Sequence, residues 1–206
     1  MHQIRQKSPF EFTGGNLCLD FANTVDNRAS DHPQELLTDY TRLLRWGEES
    51  GAITRKTAEK LSASGDDRQD QIHLTLRNAV QVRDAIYDVF SAVAHRRAIP
   101  AAQLMTINKA VQNASEHAQL VHTSRQFSWR WISPDQHLDS MLWPVTRAAA
   151  ELLTSDDLAL VRQCASETCA WLFVDRTKNH RRRWCDMRIC GNRDKARRYY
   201  QRQKKA

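Results

Sequence analysis

The chain has 206 residues, 41% of them hydrophobic, so it is long enough to bury one core, or one core and part of a second. No run of about eighteen apolar residues occurs, so we expect no membrane-spanning helix. The first residues also lack the apolar stretch of a secretory signal. We therefore expect a cytoplasmic protein whose cysteines stay reduced.

The positive charge is concentrated at one end of the chain. Residues 162–206 hold fourteen Lys and Arg against four Asp and Glu, whereas the preceding residues hold seventeen against twenty. A basic module beside a mildly acidic body is typical of nucleic-acid binding. The alternative is an ordinary solvated basic tail, and charge alone does not separate the two.

The first predicted helix follows a Gly-Gly turn and is capped by Asn16. Asp20, Asn23 and Asp26 recur every three residues, so on a continuing helix they share one polar face. Together with Arg28 they are candidate ligand-binding residues. A solvated helix face with caps is the competing interpretation.

Apolar periodicity predicts several further helices in the first part of the chain. They comprise a helix over 40–49 capped by Asp39, a short helix capped by Thr54, a loop at 64–67, a long helix over about 67–97, and a helix opened by Pro100. Arg83 is the one polar break in the long stripe. We expect it at the edge of the core, with its stem buried and its charge in solvent. A buried anion-binding residue is the alternative.

A β-hairpin is predicted over 118–131, where Phe127, Trp129 and Trp131 alternate with polar residues. We expect its aromatic face to cover the helices, with an aromatic ligand platform as the alternative. Ser133, Pro134 and Asp135 form a helix-start signature for a last helix that runs to Leu152. The polar stretch after it predicts a boundary between domains 1–157 and 158–206.

The first domain shows no recognisable catalytic constellation. It contains no HExxH, GxSxG or P-loop motif, and its histidines are scattered, so we expect no enzymatic activity. The alternative is an enzyme localised by the second domain, with the polar residues from Asp20 to Arg28 as its site.

Four of the five cysteines form two Cys-x4-Cys pairs, Cys164/Cys169 and Cys185/Cys190. Two short-spaced pairs provide the four thiolates of a closed, tetrahedral zinc site, with a hairpin between the pairs bringing them together. Disulfide or redox pairing is the alternative. Cys18 stands apart, and we expect it to pack as a small apolar side chain.

The second domain has few apolar side chains, so we expect bound zinc to supply much of its folding free energy. Removing the metal should then melt this module and leave the helices largely intact. After Cys190 a basic helix is predicted, which makes the arrangement treble-clef-like. The candidate nucleic-acid-binding residues are Arg181, Arg182, Arg183, Arg193, Lys195, Arg197, Arg198 and Arg202.

The sequence Cys190-Gly191-Asn192-Arg193, with Trp171-Leu172-Phe173, Asp175 and Arg182-Arg183-Trp184-Cys185, resembles the CGNR zinc finger. The stretch from Gly14 to Thr24, GGNLCLDFANT, resembles the opening of the ABATE domain that typically precedes this finger. The resemblance implies a bacterial, stress-induced transcription regulator. It also implies that the four paired cysteines bind one structural zinc ion.

The overall expectation is a mostly α-helical protein with a small β-hairpin (α+β), followed by the zinc finger. Its expected function is zinc-dependent DNA binding in transcription regulation. The helical domain would sense a small-molecule effector or mediate association, and a homodimer would suit paired half-sites. RNA is the alternative partner, because a basic and aromatic module also suits single strands.

Overall fold

The computed structural model describes residues 8–63 and 68–203, without the side chains of Arg198, Gln201 and Arg202. The predicted loop at 64–67 lies outside the described residues. The elements are α1 (Leu17–Ala22), β1 (Val25–Asp26), β2 (Gln34–Glu35), α2 (Tyr40–Glu49), α3 (Arg55–Ala63), α4 (Gln69–Ala94), α5 (Ala101–Glu116), β3 (Ala118–Thr123), β4 (Gln126–Trp131), α6 (Leu142–Leu153), β5 (Val161–Gln163), β6 (Leu172–Val174) and α7 (Asn192–Gln203).

Helices dominate, and the described strands form three separate antiparallel pairs, β1–β2, β3–β4 and β5–β6. The predicted α+β class is therefore confirmed. Among the described helices, none combines the length and the apolar character needed to cross a lipid bilayer.

Three helices begin at the predicted capping residues. The Asn16 side chain accepts from the Cys18 N–H at 3.1 Å, and the Asp39 carboxylate accepts from the Arg42 N–H at 2.9 Å. The Thr54 hydroxyl accepts from the Thr57 N–H at 3.1 Å. Each contact satisfies a backbone donor that has no partner within its helix.

The main core is built around α1, which packs against α4, α6 and β6. Phe21 and Trp46 are fully buried, with ring centroids 4.7 Å apart. Cys18 is also fully buried, and desolvation raises the pKa of its thiol well above the usual value. It packs as a small apolar side chain, as expected.

The first helix is shorter than its polar spacing predicts. It ends at Ala22, and the chain then turns so that Val25 and Asp26 pair with Glu35 and Gln34 of β2. Asp26 therefore lies on a strand and does not share a helix face with Asp20. Helix α6, the last of the first domain, also begins later than predicted, at Leu142, because the start signature at Ser133 forms only a 3₁₀ turn over Pro134–Gln136.

Arg83 is buried rather than exposed at the edge of the core. Its side chain is only 3% exposed, and its guanidinium contacts the Glu35 carboxylate at 2.5 and 2.7 Å and Asp84 at 3.1 Å. The expectation of a solvated charge was therefore wrong. A buried guanidinium such as that of Arg83 needs carboxylate partners. Strand β2 provides one of them, because it places Glu35 beside α4.

Strand β6 joins the second domain to the first. Leu172 and Val174 lie in the core of the N-terminal helices, together with Val161 of β5. Trp171 and Phe173, which alternate with them, belong to a second apolar cluster around the four paired cysteines. The strand thus has both of its faces buried, each in a different core.

Asn23 occupies the edge of β6 where another strand would lie. Its side-chain amide donates to the Leu172 carbonyl at 2.9 Å, and its carbonyl accepts from the Leu172 N–H at 2.8 Å. A little further along, the Val174 N–H donates to the Gly14 carbonyl at 2.8 Å. The Asn23 side chain and the Gly14 backbone thus provide hydrogen-bond partners for the backbone groups at this edge of β6.

Replacing Asn23 with Ala should leave the N–H and C=O of Leu172 without these partners. We expect the free energy of unfolding to fall by about 2–4 kcal/mol, because buried polar groups lose two hydrogen bonds. Urea denaturation followed by circular dichroism measures the change. Asn113→Ala is the matched control: its amide contacts Asp139 on the exposed surface, so the loss should be about 0.5 kcal/mol or less. Similar losses in both variants would contradict the role assigned to Asn23.

Asp20 fixes the loop at Gly14, whose carbonyl accepts a hydrogen bond from β6. Its carboxylate accepts from the Gly14 N–H at 2.8 Å. Burial raises the pKa of Asp20 to about 6, although hydrogen bonds from the Gly14 and Thr13 backbone oppose that rise. The folded state therefore binds this proton more tightly than the unfolded chain does, and stability decreases as the pH rises from about 4 to 6.

The variant Asp20→Asn keeps an acceptor for Gly14 and removes the charge. We compare the free energies of unfolding of the variant and the wild type at each pH. Between pH 4 and pH 7 we expect this difference to shift in favour of the variant by about 1–3 kcal/mol, because only the wild type loses stability over this range. Urea denaturation of both proteins at the two pH values measures this difference. A stability difference between the two proteins that does not change with pH would contradict the raised pKa.

Candidate metal centre and nucleic-acid interface

The first cysteine pair lies at the end of the β5–β6 hairpin. The Cys164 N–H donates to the Trp171 carbonyl at 2.7 Å, which continues the ladder beyond Gln163, and a turn then presents Cys169. The sequence also predicts a strand over 158–163 before this pair and one over 170–174 after it, and β5 and β6 confirm both. The hairpin therefore surrounds the first pair, and the segment between the two pairs contributes only β6 to it. The chain pairs β6 with the strand before Cys164, because Val161 of that strand is an apolar residue that packs in the main core.

The second pair lies where α7 begins. Residues Met187–Gly191 form a π-helical turn, and α7 follows at Asn192. The Asp186 side chain caps the turn by accepting from the Arg188 N–H at 2.5 Å. A Cβ atom at Gly191 would lie 3.0 Å from Trp184 Cδ1 and would also meet the Met187 side chain, so the turn needs glycine there.

The four sulfurs of Cys164, Cys169, Cys185 and Cys190 lie within 4.8 Å of one another, and all four residues are buried. Cys185 Sγ is 3.6 Å from both Cys169 Sγ and Cys190 Sγ. A tetrahedral zinc ion with Zn–S bonds of about 2.3 Å places its sulfurs about 3.8 Å apart, so the geometry fits this metal. Four thiolates close the coordination shell, which makes the zinc structural, as predicted.

The small core around the metal consists of apolar residues of the finger. Trp171, Phe173, Trp184 and Ile189 pack against the cysteines. The Trp171 indole N–H also donates to the Val25 carbonyl at 2.8 Å, and the Tyr87 hydroxyl donates to the Ala170 carbonyl at 3.2 Å. The zinc site is therefore attached to the helical body by hydrogen bonds as well as by apolar packing.

The loop after β6 is held in place by Asp175, which is fully buried. Its carboxylate accepts from the Thr177 N–H at 3.0 Å, the Thr177 hydroxyl at 2.6 Å and the Arg182 N–H at 2.9 Å. Burial alone would raise the pKa of Asp175, but these hydrogen bonds outweigh it and keep the pKa below the usual value. The loop therefore presents Arg181 and Arg183 to solvent from a fixed backbone.

Of the exposed cations of the finger, six form no ion pair within the described residues. They are Lys178, Arg181, Arg183, Arg188, Arg193 and Lys195. We call these six the basic surface. Lys178 and Arg188 are absent from the residues predicted from sequence. Arg188 lies between two zinc ligands, and its basic character there was the signal that could have identified it.

Two predicted nucleic-acid-binding residues instead make internal contacts. The Arg182 guanidinium lies 4.3 Å from the Phe173 ring centroid and donates to the carbonyls of Trp184 and Thr13, at 2.9 and 3.2 Å. Arg197 pairs with Asp194 at 3.0 Å and with Glu167. Both hold parts of the finger together. The side chains of Arg198 and Arg202 lie outside the described residues.

The four predicted ligand-binding residues lie along the border between body and finger, but each has its own contacts. Asp20 and Asn23 hold the backbone of Gly14 and Leu172, as described above. The Asp26 carboxylate accepts from the Asn27 N–H at 2.7 Å. The Arg28 guanidinium lies 3.9 Å from the Tyr87 ring centroid and 3.2 Å from Asp84. Ligand binding by these residues stays a prediction.

Removal of zinc should destabilise more than the finger, because β6 is shared between the two cores. After complete chelation we expect the helical melting temperature to fall by about 10 °C or more, since about 4 kcal/mol corresponds to that shift at this chain length. Circular dichroism at 222 nm measures the change. An unchanged helical transition would support the independent module expected from sequence.

A cysteine control separates zinc loss from thiol loss. The variant Cys185→Ala should lose most of its zinc and show the same fall in melting temperature, with the metal content measured by atomic emission. Cys18→Ala removes the fully buried fifth cysteine and should still bind one zinc ion per chain.

Comparison with known families agrees with this geometry. The family ABATE, described as "Putative stress-induced transcription regulator", matches residues 15–156, and the CGNR zinc finger matches residues 161–203. A comparison with curated proteins found no match. The two matched regions cover the helical body and the zinc-binding module, in the predicted order. The chain therefore belongs to the ABATE family, and a CGNR zinc finger follows its ABATE domain.

Proposed function

We propose that this protein is a zinc-dependent DNA-binding transcriptional regulator in which the finger contacts DNA. The observation that carries the proposal is the basic surface. Its six exposed cations lie on a zinc-stabilised module and make no ion pair within the described residues. The family description, which concerns transcription regulation, agrees with this role.

The charge distribution favours the finger as the contact surface. Residues 162–206 have a formal charge of +10, and the rest of the chain has −3. Four thiolates and one Zn²⁺ change the charge of the finger by −2, which leaves about +8. The phosphate backbone therefore attracts the finger and repels the body, which orients the protein on DNA.

The finger also restricts the motion of its cations. The backbone of Arg181 and Arg183 is fixed by the hydrogen bonds of Asp175, and the Arg183 guanidinium lies 4.9 Å from the Trp184 ring centroid. Less conformational entropy is lost when such side chains bind phosphate. Guanidinium groups also suit bidentate contact with guanine, so the same residues support base recognition.

RNA is a second candidate partner, favoured by one observation. Tyr199 and Tyr200 of α7 are exposed beside the basic surface, and single-stranded bases stack on such rings. Competition between duplex DNA and single-stranded RNA of equal length distinguishes the two partners. Stronger displacement by RNA would favour the RNA role.

We propose a non-catalytic, cytoplasmic role in which the helical body senses an effector. A cavity of about 380 Å³ lies between α2, α3 and α4, with Leu44, Leu61 and Leu76 in its wall and Thr38 and His73 beside them. This volume suits a small molecule. Helix α4 also packs against β5 and β6, so a ligand in this cavity would act on a helix that supports the finger.

DNA binding should depend on the basic surface and weaken with salt. With about four phosphate contacts, affinity should fall about a hundredfold between 50 and 200 mM salt. The double variant Arg181→Ala/Arg183→Ala should bind about tenfold or more weakly at 100 mM salt, with a reduced salt slope. Fluorescence anisotropy with labelled duplex DNA measures both effects.

The matched control changes two exposed cations of the helical body, Arg77→Ala/Lys109→Ala. It removes the same charge, so we expect DNA affinity to change by less than about twofold. Zinc content should be unchanged in both double variants. Equal loss of affinity in the two would mean that net charge, rather than the finger, governs binding, and salt-independent binding would contradict the proposal.

A further inference from the structure

The β3–β4 hairpin covers the helices only at its base. Trp131 packs near Trp143, with ring centroids 5.8 Å apart, and Arg147 lies 4.3 Å from the Trp129 ring centroid. Further out, Phe127 is 71% exposed, and Leu120 and Trp129 are each 55% exposed. The expectation that the whole aromatic face covers the helices was therefore wrong.

These exposed side chains belong to one face of the hairpin. The register pairs Leu120 with Trp129 and His122 with Phe127, and directly opposed residues point to the same side of a sheet. At these exposures Leu120, Phe127 and Trp129 present about 400 Å² of apolar surface. Patches of this size on a protein surface often mark an interaction site.

The hairpin edges lack the features that usually prevent association. Six successive residue pairs run from Ala118–Trp131 to Thr123–Gln126 without a bulge. The two strands contain no proline, and their one Lys, Arg, Asp or Glu side chain, Arg130, belongs to the face opposite to Leu120 and Trp129. Within the described residues neither strand pairs with a third. A regular, partly apolar edge of this kind favours contact with another chain.

A groove of about 210 Å³ lies beside this face, between the base of the hairpin and helices α5 and α6. Its walls are mostly apolar, and they include Val111, Ala114, Trp129, Trp131 and Ala150. The groove is large enough for one phenyl ring. A protruding ring and an apolar groove thus lie a few residues apart on the same side of the molecule.

We propose that two copies of this chain associate through this face, with Phe127 of each copy inserted into the groove of the other. One surface that holds both the projection and the groove is self-complementary, which is the requirement of a two-fold interface. About 400 Å² of exposed apolar patch per chain is roughly half of what each partner of a standard interface contributes. An interface of this small area is typical of a weak, reversible dimer. This inference does not rest on the DNA-binding role.

Sedimentation equilibrium of the zinc-loaded full chain tests the interface. The wild type should dimerise reversibly with increasing concentration, and Phe127→Lys should raise the dissociation constant at least tenfold. Ala150→Leu partly fills the groove from the opposite side of the contact and should have a similar effect. Circular dichroism should show that both variants fold normally, because Phe127 is exposed and Ala150 is only partly buried.

Leu74→Lys is the matched control, because Leu74 lies on α4 and is 56% exposed, close to the exposure of Leu120. It should leave the dissociation constant unchanged. A wild-type chain that stays monomeric up to about 500 μM would overturn the proposal. So would a dimer that Leu74→Lys disrupts and Phe127→Lys does not. The DNA-binding variant Arg181→Ala/Arg183→Ala should still dimerise, so failure of either proposal can be recognised separately.

Discussion

The structure depends on one short strand that is buried on both faces. Leu172 and Val174 of β6 fill the core of the helices, and Trp171 and Phe173 fill the core around the zinc. A finger with so few apolar residues cannot supply two faces of a strand by itself. The helical body provides one face and the metal site provides the other. The two matched families therefore meet in a single three-residue strand, and Asn23 of the body completes its edge.

Arginine has two distinct roles in this chain, and burial distinguishes them. Arg28, Arg83 and Arg182 each contact carboxylates, carbonyls or an aromatic ring, and they connect elements distant in sequence. A guanidinium suits such positions because several donors lie in one plane. The arginines of the basic surface have the same chemistry, but they are exposed and form no ion pair within the described residues. The high arginine content thus serves both internal cohesion and the proposed contact with phosphate.

Local features of this protein could be predicted from sequence, and features that join distant segments could not. The caps at Asn16, Asp39 and Thr54 depend on residues two or three positions away, so they were correctly identified. The four zinc ligands were found because each pair is close in sequence. By contrast, Asn23 contacts Leu172 across 149 positions, and Arg83 contacts Glu35 across 48. No local pattern shows such partners, which is why Arg83 was expected in solvent and Asn23 in a ligand site.

The shared strand has a consequence for how the protein responds to its surroundings. When a metal binds only the folded chain, each tenfold rise in its free concentration above the dissociation constant adds about 1.4 kcal/mol of stability. In an isolated finger this gain would remain within the finger. Here we expect β6 to extend it to the helices, so the folded fraction of the whole chain would follow the free zinc concentration. Zinc availability would then control how much active protein is present, without any contact between zinc and DNA.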